Sequence, residues 1–397
     1  SARNATFSGL LGAVDRVMQL EIETIEGHFR GNGIEVAHGR ASFRDAGQVE
    51  VVSSESTRIV TADNFLIAVG TVPARPESIP FDGQNIVTSD ELLKMERLPK
   101  SLIVVGGGVI GTEYASMLAA LGVKVTLVDA NPSLLGFVDR ELVEALQYHL
   151  RRAGVTLRLG EKVESISLEE AKPGQNAGDG TLVKATLASG KTVRADALLY
   201  SIGRQGATSG LALDLVGLEA DTRGRLTVNG HHQTSVPNVY AAGDVIGFPA
   251  LASTSMDQGR LAACHMFGEP ATSVPQQLPF GIYAIPEISM VGFTEDQLSE
   301  QGIPFESGVA RYEEIARGQL LGDDVGMLKL LIHQETREVL GVHALGTGAT
   351  ELIHLGQAVM CLGGKADYFV ETVFNYPTLA ECYKVAAHNG LNKLACV

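Results

Sequence analysis

Residues 101–129 read SLIVVGGGVIGTEYASMLAALGVKVTLVD, and this stretch decides the fold. Ser101–Val105 is a short apolar run rich in β-branched residues, the pattern of a buried strand. Gly106, Gly108 and Gly111 follow at G-x-G-x-x-G spacing. From Val109 to Leu121 the apolar residues Val109, Ile110, Tyr114, Met117, Leu118 and Leu121 recur with helical period. Gly122 ends that pattern, and Val123–Val128 reads as a second strand closing on Asp129. Each glycine has a separate physical task. Gly106 permits the tight turn, Gly108 lets a pyrophosphate approach the backbone, and Gly111 lets helix and strand pack closely. The free N–H groups at the helix N-terminus then face the phosphate charge. Asp129 follows at the distance where an acid accepts hydrogen bonds from an adenosine ribose. A glycine-rich packing turn without a ligand, and a solvated strand-end carboxylate, are the plain alternatives.

The chain has 397 residues, 45% of them hydrophobic, enough for several cores. Gly is the residue at 45 positions, well above the usual ~7%, which suits an α/β enzyme with many tight turns. A net charge of -15 argues against nucleic-acid and anionic-membrane partners. No apolar run approaches the length of a membrane span, and no leader pattern is present. Cys264, Cys361, Cys382 and Cys396 are scattered with no CxxC, so metal, disulfide and dithiol readings lack a basis. No metal site is expected, and a reducing, cytoplasmic setting is. Cys264 and Cys361 fit buried apolar helix faces. His231–His232 reads as a solvated loop pair.

Outward from the central stretch, Leu10–Phe29 reads as a helix and Val36–Ala41, Gln48–Val52 and Thr57–Thr61 as short strands. Asn64–Val69 is an apolar strand before a proline-bearing connector, so a domain crossing is expected between Gly70 and Lys100. Asp139–Arg152 reads as a helix, followed by strands and a polar loop at Lys172–Gly180. Ala197–Ser201 is a buried strand, and Gly203 begins a loop expected to pass near the nucleotide. Arg204 reads equally well as a surface residue. Thr227–Asn229 and Val239–Ala241 open a third arrangement, in which Gly243 allows close approach and Asp244 leaves a strand end. Ser253–Phe267 is helical, and Pro270–Pro279 is a linker. Beyond Phe280, several strands and then the helices Ala349–Cys361, Tyr368–Thr372 and Thr378–Gly390 suggest an α+β domain.

Four ordered segments carry a resemblance: SLIVVGGGVIGTEYA (101–115), NVYAAGDVIGFPALASTSMDQGRLAA (238–263), GIYAIPEISMVG (281–292) and FNYPTLAECYKVAAHNGLNKL (374–394). The chain resembles the two-dinucleotide flavoprotein family of dihydrolipoamide dehydrogenase, glutathione reductase and mercuric reductase, and within it the soluble pyridine nucleotide transhydrogenases. The resemblance implies an α/β fold in which a Rossmann-like NAD(P)-binding domain is inserted in a Rossmann-like FAD domain. An α+β dimerisation domain follows. The expected division is 1–95 and 216–275 for FAD, 96–215 for NAD or NADP, and 276–397 for the homodimer interface. It implies FAD-dependent hydride transfer between NADH/NAD and NADPH/NADP, with a dihydrolipoamide dehydrogenase-like reductase, or a non-catalytic NAD-binding dimerisation fragment, as alternatives.

The family's full chain opens with a βαβ unit whose own glycine motif holds the ADP part of FAD. Before Gly106 this chain carries only isolated glycines such as Gly31, Gly33 and Gly70. The FAD domain is therefore expected to be truncated, binding FAD poorly or not at all. By the same resemblance Gly243 and Asp244 belong to the FAD site, Asp244 on the ribityl chain. A simple turn aspartate is its alternative. Glu113 matches an acid near nicotinamide and flavin, and it could equally be a helix N-terminal acid favoured by the dipole. Disulfide reductases of the family place a His before Pro377, paired with a Glu that matches Glu381. Here that position is Tyr376. A phenol is a poor base near neutral pH, so thiol exchange loses its acid–base partner. Tyr376 shapes a flavin pocket across the dimer or simply packs. An ionised Asp129 repels a 2′-phosphate, and no Arg occurs in 130–135, so NAD(H) is expected to bind better than NADP(H). That preference is in tension with a reaction that uses both.

Overall fold

A computed structural model of the chain describes residues 7–95, 97–171, 180–271 and 277–395. The expectations for most of the loop 172–180 and for part of the linker 270–279 lie outside those residues, as does Cys396. The chain divides into two compact units, each made of three separated stretches.

The first unit comprises Ser1–Ala74, Leu93–Leu98 and Gly203–Val274. Its antiparallel meander is Arg40–Asp45, Gln48–Val52 and Thr57–Thr61. The strand expected from Val36 starts only at Arg40, and Thr227–Asn229 is in no strand. Two pairings tie early chain to late chain. Phe65–Ile67 runs parallel to Val239–Ala241, and Thr71–Pro73 runs antiparallel to Arg204–Gly206. Phe43, Ile67, Val216, Leu218, Leu226, Val239 and Val245 form one core across that gap in sequence. The unit therefore closes around an insertion, which leaves at Ala74 and returns at Gly203, where the Ala74 N–H meets the Gly203 carbonyl at 3.2 Å.

The second unit comprises Arg75–Leu92, Pro99–Ile202 and Pro275–Val397. Its parallel sheet has the order Ile86–Val87, Ala197–Tyr200, Ser101–Val105, Lys124–Asp129 and Thr156–Leu159. Ser101–Val105 is central, and its apolar run is buried along its length, as a strand covered on both faces requires. One face packs on the meander Val163–Glu170, Thr181–Leu187 and Thr192–Ala195, with Ile103, Val105, Val128, Val183 and Leu198 in the shared core. The helices Val109–Ala120 and Arg140–Arg152 follow their strands as crossovers.

The C-terminal part of this unit is a five-stranded antiparallel sheet in the order Phe280–Ile282, Ile288–Gly292, Val339–Leu345, Met327–His333 and Phe305–Arg311. Helices Ala349–Cys361 and Glu381–Ala395 cover it. The last helix starts at Glu381, not Thr378. Thr378 instead closes a turn after Pro377, its hydroxyl donating to the Asn375 carbonyl at 2.7 Å. That helix lies so close to Phe305–Arg311 that a Cβ at Gly308 would collide with the Ala386 carbonyl oxygen.

A buried lysine connects the two parts of this unit. Lys329 is 1% exposed, and its Nζ reaches Glu295 at 2.8 Å, Asp139 at 2.9 Å and Glu141 at 3.1 Å. Asp139, also 1% exposed, is the N-cap of Arg140–Arg152. Removing one partner of such a pair typically costs about 3–5 kcal/mol, because the other charge stays buried. Gly308→Ala should destabilise the protein by about 1–3 kcal/mol through overpacking, read as a lower urea midpoint with an unchanged slope.

Candidate functional site

The turn at Gly106 is built by main chain. Its φ of +113° is one that L side chains rarely adopt, and its N–H donates to the Val128 carbonyl at 2.9 Å. A Cβ at Gly111 would collide with the Gly106 carbonyl oxygen, so helix and turn touch only because residue 111 has no side chain. A Cβ at Gly108 would meet nothing within 4 Å. The helix that starts there has no side-chain cap. Its first N–H groups therefore need an acceptor from elsewhere, and the open face at Gly108 gives a pyrophosphate access to them.

Asp129 sits half-buried at the end of its strand. One carboxylate oxygen accepts the Gly107 N–H and the other accepts the Asn131 N–H at 2.6 Å. Each oxygen keeps acceptor capacity for a ribose hydroxyl, because a carboxylate offers about four lone-pair sites. Leu135 N–H donates to the Gly107 carbonyl at 3.2 Å, so the following loop backs the turn. The turn's other wall is Ser201, whose Oγ donates to the carbonyls of Val105 at 2.9 Å and Gly106 at 3.2 Å. Gly203 itself belongs to the first unit, at the mouth of the strand Arg204–Gly206.

Glu113 is half-buried just past the first turn of the same helix. Its Oε1 accepts the Tyr283 N–H at 2.8 Å, and Ser116 Oγ accepts the Ile285 N–H at 3.0 Å. Burial pushes the Glu113 carboxyl above its ordinary pKa, and the Tyr283 N–H only partly offsets that. The connection after the strand Phe280–Ile282 thus holds Glu113 through main chain.

In the first unit, Asp244 follows the buried strand Val239–Ala241. Gly243 has φ +80° and donates its N–H to Gln258 Oε1 at 2.8 Å, and a Cβ there would crowd Ser255. The close approach predicted at Gly243 is thus to the helix Ala252–Met266, whose N-terminus again lacks a side-chain cap. Arg204 is held in place. Its Nε donates to Thr71 Oγ1 at 2.7 Å and its Nη2 to the Thr71 carbonyl at 2.8 Å. With its oxygen accepting from Arg204, the Thr71 hydroxyl turns its proton to Asp244 Oδ2 at 3.4 Å. Thr71 was not legible in the sequence, since 173 positions separate it from Asp244. Asp244 keeps acceptor capacity for the hydroxyls of a polyol chain, so this residue fits the ribityl part of FAD.

Tyr376 is 74% exposed on the C-terminal part, and Glu381 turns a carboxylate oxygen to the Thr378 N–H at 3.4 Å. Among the described residues no acid, His and Cys cluster could hold a metal. Cys264 is half-buried, and Cys361 is exposed rather than on a buried helix face. Leu362 and Gly363 follow Cys361 as its helix ends, which leaves its side chain in the open. Cys382 is buried, and burial pushes its thiol up to about 12. The histidine pair divides. His231 is exposed and stacks on His265 with ring centroids 4.3 Å apart, while His232 is half-buried and burial lowers its pKa.

An inserted parallel-sheet domain with an uncapped glycine turn, a second acid at a strand end and a C-terminal α+β sheet make up the architecture expected of a two-dinucleotide flavoprotein oxidoreductase. Residues 2–259 match the family model "Pyridine nucleotide-disulphide oxidoreductase", and residues 278–387 match that family's dimerisation domain. A soluble pyridine nucleotide transhydrogenase of Mycobacterium bovis is 48% identical over 392 residues, covering 98% of this chain and 81% of that protein. One from Yersinia enterocolitica is 45% identical over 396 residues, covering 98% of this chain and 83% of that protein. Among solved structures, LpdA from Mycobacterium tuberculosis superposes with a TM-score of 0.88 at 26% identity, covering 97% of this chain and 84% of that one. The HOCl-induced flavoprotein disulfide reductase RclA from Escherichia coli gives 0.82 at 27%, covering 94% and 85%. The chain belongs to the pyridine nucleotide-disulphide oxidoreductase flavoproteins, in the family of soluble pyridine nucleotide transhydrogenases. It is an oxidoreductase of a family that uses FAD and NAD(P), and its C-terminal domain is the family's dimerisation domain, which pairs two copies. No described helix is long and apolar enough to cross a membrane.

Two glycines of one turn should respond differently. Gly108→Val, with open space for its side chain, should keep its melting temperature and lose NADH binding in a fluorescence titration. Gly111→Ala should unfold at lower temperature whatever ligand is present, because its Cβ meets backbone.

Proposed function

We propose that the chain works in hydride exchange between the NADPH/NADP and NADH/NAD couples, with FAD as intermediary, in the cytoplasm. The observation that carries this reading is Tyr376. A disulfide reductase needs an acid–base partner for its thiol at that position, and a phenol supplies a poor one near neutral pH. Nicotinamide exchange needs no such partner. The names of the relatives at 48% and 45% identity support the same reading.

In this reading residues 96–215 hold the nicotinamide dinucleotide, 1–95 with 216–275 hold FAD, and 276–397 pair the subunits. The helix N-terminus at Gly108 binds the pyrophosphate, with Gly106 and Gly111 shaping the turn and Asp129 orienting the ribose. Asp244, kept in place by Thr71 and Arg204, orients the flavin's polyol chain, with Gly243 fixing the turn before it. Gly203 starts the return strand that carries Arg204. Bound FAD supplies two-electron exchange with either nicotinamide. Glu113, pinned by the Tyr283 N–H, contributes a negative charge that favours the cationic, oxidised nicotinamide ring. Tyr376 and Glu381 act across the dimer, where they shape the flavin pocket. Neither exchanges a proton with a thiol.

The decisive assay gives the protein NADPH and an NAD analogue whose reduction is seen at its own wavelength, with added FAD. Exchange without any disulfide substrate is expected. Consumption of NADH that requires lipoamide or another disulfide would sink the reading. A colourless protein that takes up NADH and no FAD would reduce it to dinucleotide binding. Glu113→Gln keeps an acceptor for Tyr283 and removes the charge. Its melting temperature should hold, and its rate should fall by about tenfold or more. The wild-type rate should drop on acidification through a pKa above the ordinary carboxylate range, since burial raises it, and that limb should vanish in the Gln variant.

A further inference from the structure

Lys329 is a charged group that the hydride chemistry does not use. An ammonium has three donors, and here three carboxylates receive them: Glu295 at 2.8 Å, Asp139 at 2.9 Å and Glu141 at 3.1 Å. Lys329 and Asp139 are each 1% exposed. Its neighbour across the sheet is His343, which is fully buried. His343 Nε2 lies 2.9 Å from the Phe293 carbonyl, and its Nδ1 has no hydrogen-bond partner. An apolar side chain at 329 would fill this space without the desolvation of an ion. The ion instead does something an apolar residue could not. It grips one particular atom, Asp139 Oδ1, on a different part of the unit.

Asp139 lies at the far end of the loop that begins at Asp129. That loop is not loose. Leu134, Leu135 and Val138 are buried, and Val138 N–H donates to the Leu135 carbonyl at 2.8 Å. Leu135 N–H donates to the Gly107 carbonyl at 3.2 Å, and the Leu134 side chain lies against Gly107. The loop is thus tied at one end by Asp129 to the glycine turn and at the other by Asp139 to the C-terminal sheet. Asp139 also caps the helix that follows, accepting the Glu141 N–H at 3.1 Å, while its other oxygen accepts the Glu295 N–H at 3.4 Å.

We propose that Lys329 is a positioning residue for nicotinamide dinucleotide binding, acting through Asp139 and the loop 130–138 on the adenosine half of the ligand. The proposal rests on the reading of the Gly106–Gly111 turn as the dinucleotide site. It makes the C-terminal sheet a determinant of nucleotide affinity as well as of subunit pairing. Because the loop backs the turn beside Asp129, the effect is directed at the ribose and pyrophosphate and leaves the nicotinamide end alone.

The test compares wild type with Lys329→Met, Asp139→Asn and the double variant, each saturated with FAD where FAD binds. Asn retains the cap acceptor, and the double variant leaves neither charge of the pair unpaired. Affinities are measured for NADH, for ADP-ribose and for reduced nicotinamide mononucleotide. In the double variant NADH and ADP-ribose should weaken together by about 3- to 30-fold, the range of coupling through such contacts. The mononucleotide should bind as before, and flavin content should not change. The two single effects should not add. If the double variant does not fold, Glu295→Gln gives the same readout at smaller amplitude. Unchanged NADH and ADP-ribose affinity in a folded variant, with only the melting temperature lowered, overturns the proposal. Gly108→Val is the control that separates the two failures. If that variant still binds NADH, the site itself is misplaced. If it does not, and the Lys329 variants bind normally, only the positioning role falls.

Discussion

Residue 111 has to lack a side chain, because the Gly106 carbonyl oxygen occupies the place where its Cβ would be. That contact sets how closely the helix Val109–Ala120 approaches the strand Ser101–Val105. The approach in turn leaves the first N–H groups of the helix uncapped and facing open space at Gly108. Asp129, Leu135 and Ser201 then bond to the turn from three sides. None of these neighbours could hold the turn in this shape if position 111 carried even a methyl group. The turn is thus first a packing solution and only second an electrostatic one.

A second constraint is the burial of charge. Lys329 and Asp139 are both removed from water, which is costly unless every donor and acceptor is used. Here Glu141 and Glu295 complete the ammonium's shell, and the Glu141 and Glu295 N–H groups share the Asp139 carboxylate. Burial raises the Asp139 carboxyl, but the attraction of His343 and Lys329, with the lysine and Glu295 N–H donors, outweighs it, so the carboxyl stays below its ordinary pKa. Burial, with the repulsion of Lys329, lowers the His343 imidazole's pKa against the attraction of Asp139 and the hydrogen bond to the Phe293 carbonyl. The arrangement is therefore specific in charge as well as in shape.

Much of the architecture was legible in the sequence because it is local. The strand, turn, helix and strand of 101–129 announce themselves by period and by glycine, and Asp129 by its place at a strand end. The nesting of one domain in another came from the family resemblance, and no spacing rule gives it. What was not legible is long-range. Thr71 reads as an unremarked residue after a strand, and only the pairing of Thr71–Pro73 with Arg204–Gly206 brings it to Asp244. Ser201 reads as the tail of an apolar strand, yet its hydroxyl is a wall of the glycine turn. Lys329 interrupts the apolar run Met327–Ile332, where a strand edge facing water would be the ordinary explanation. The carboxylates that make its burial tolerable come from two other segments of chain. Cys361 erred the other way, since its helix ends at that residue and leaves the thiol in the open.

The hold on Glu113 has a consequence for how this protein can diverge. The donor is the amide of residue 283, which every amino acid except proline supplies. The ring of Tyr283 is 63% exposed, so its identity is free to drift without loosening the acid. A lineage comparison that scores side chains would see no partner for Glu113 at all. The constraint would surface only as a missing proline at one variable site.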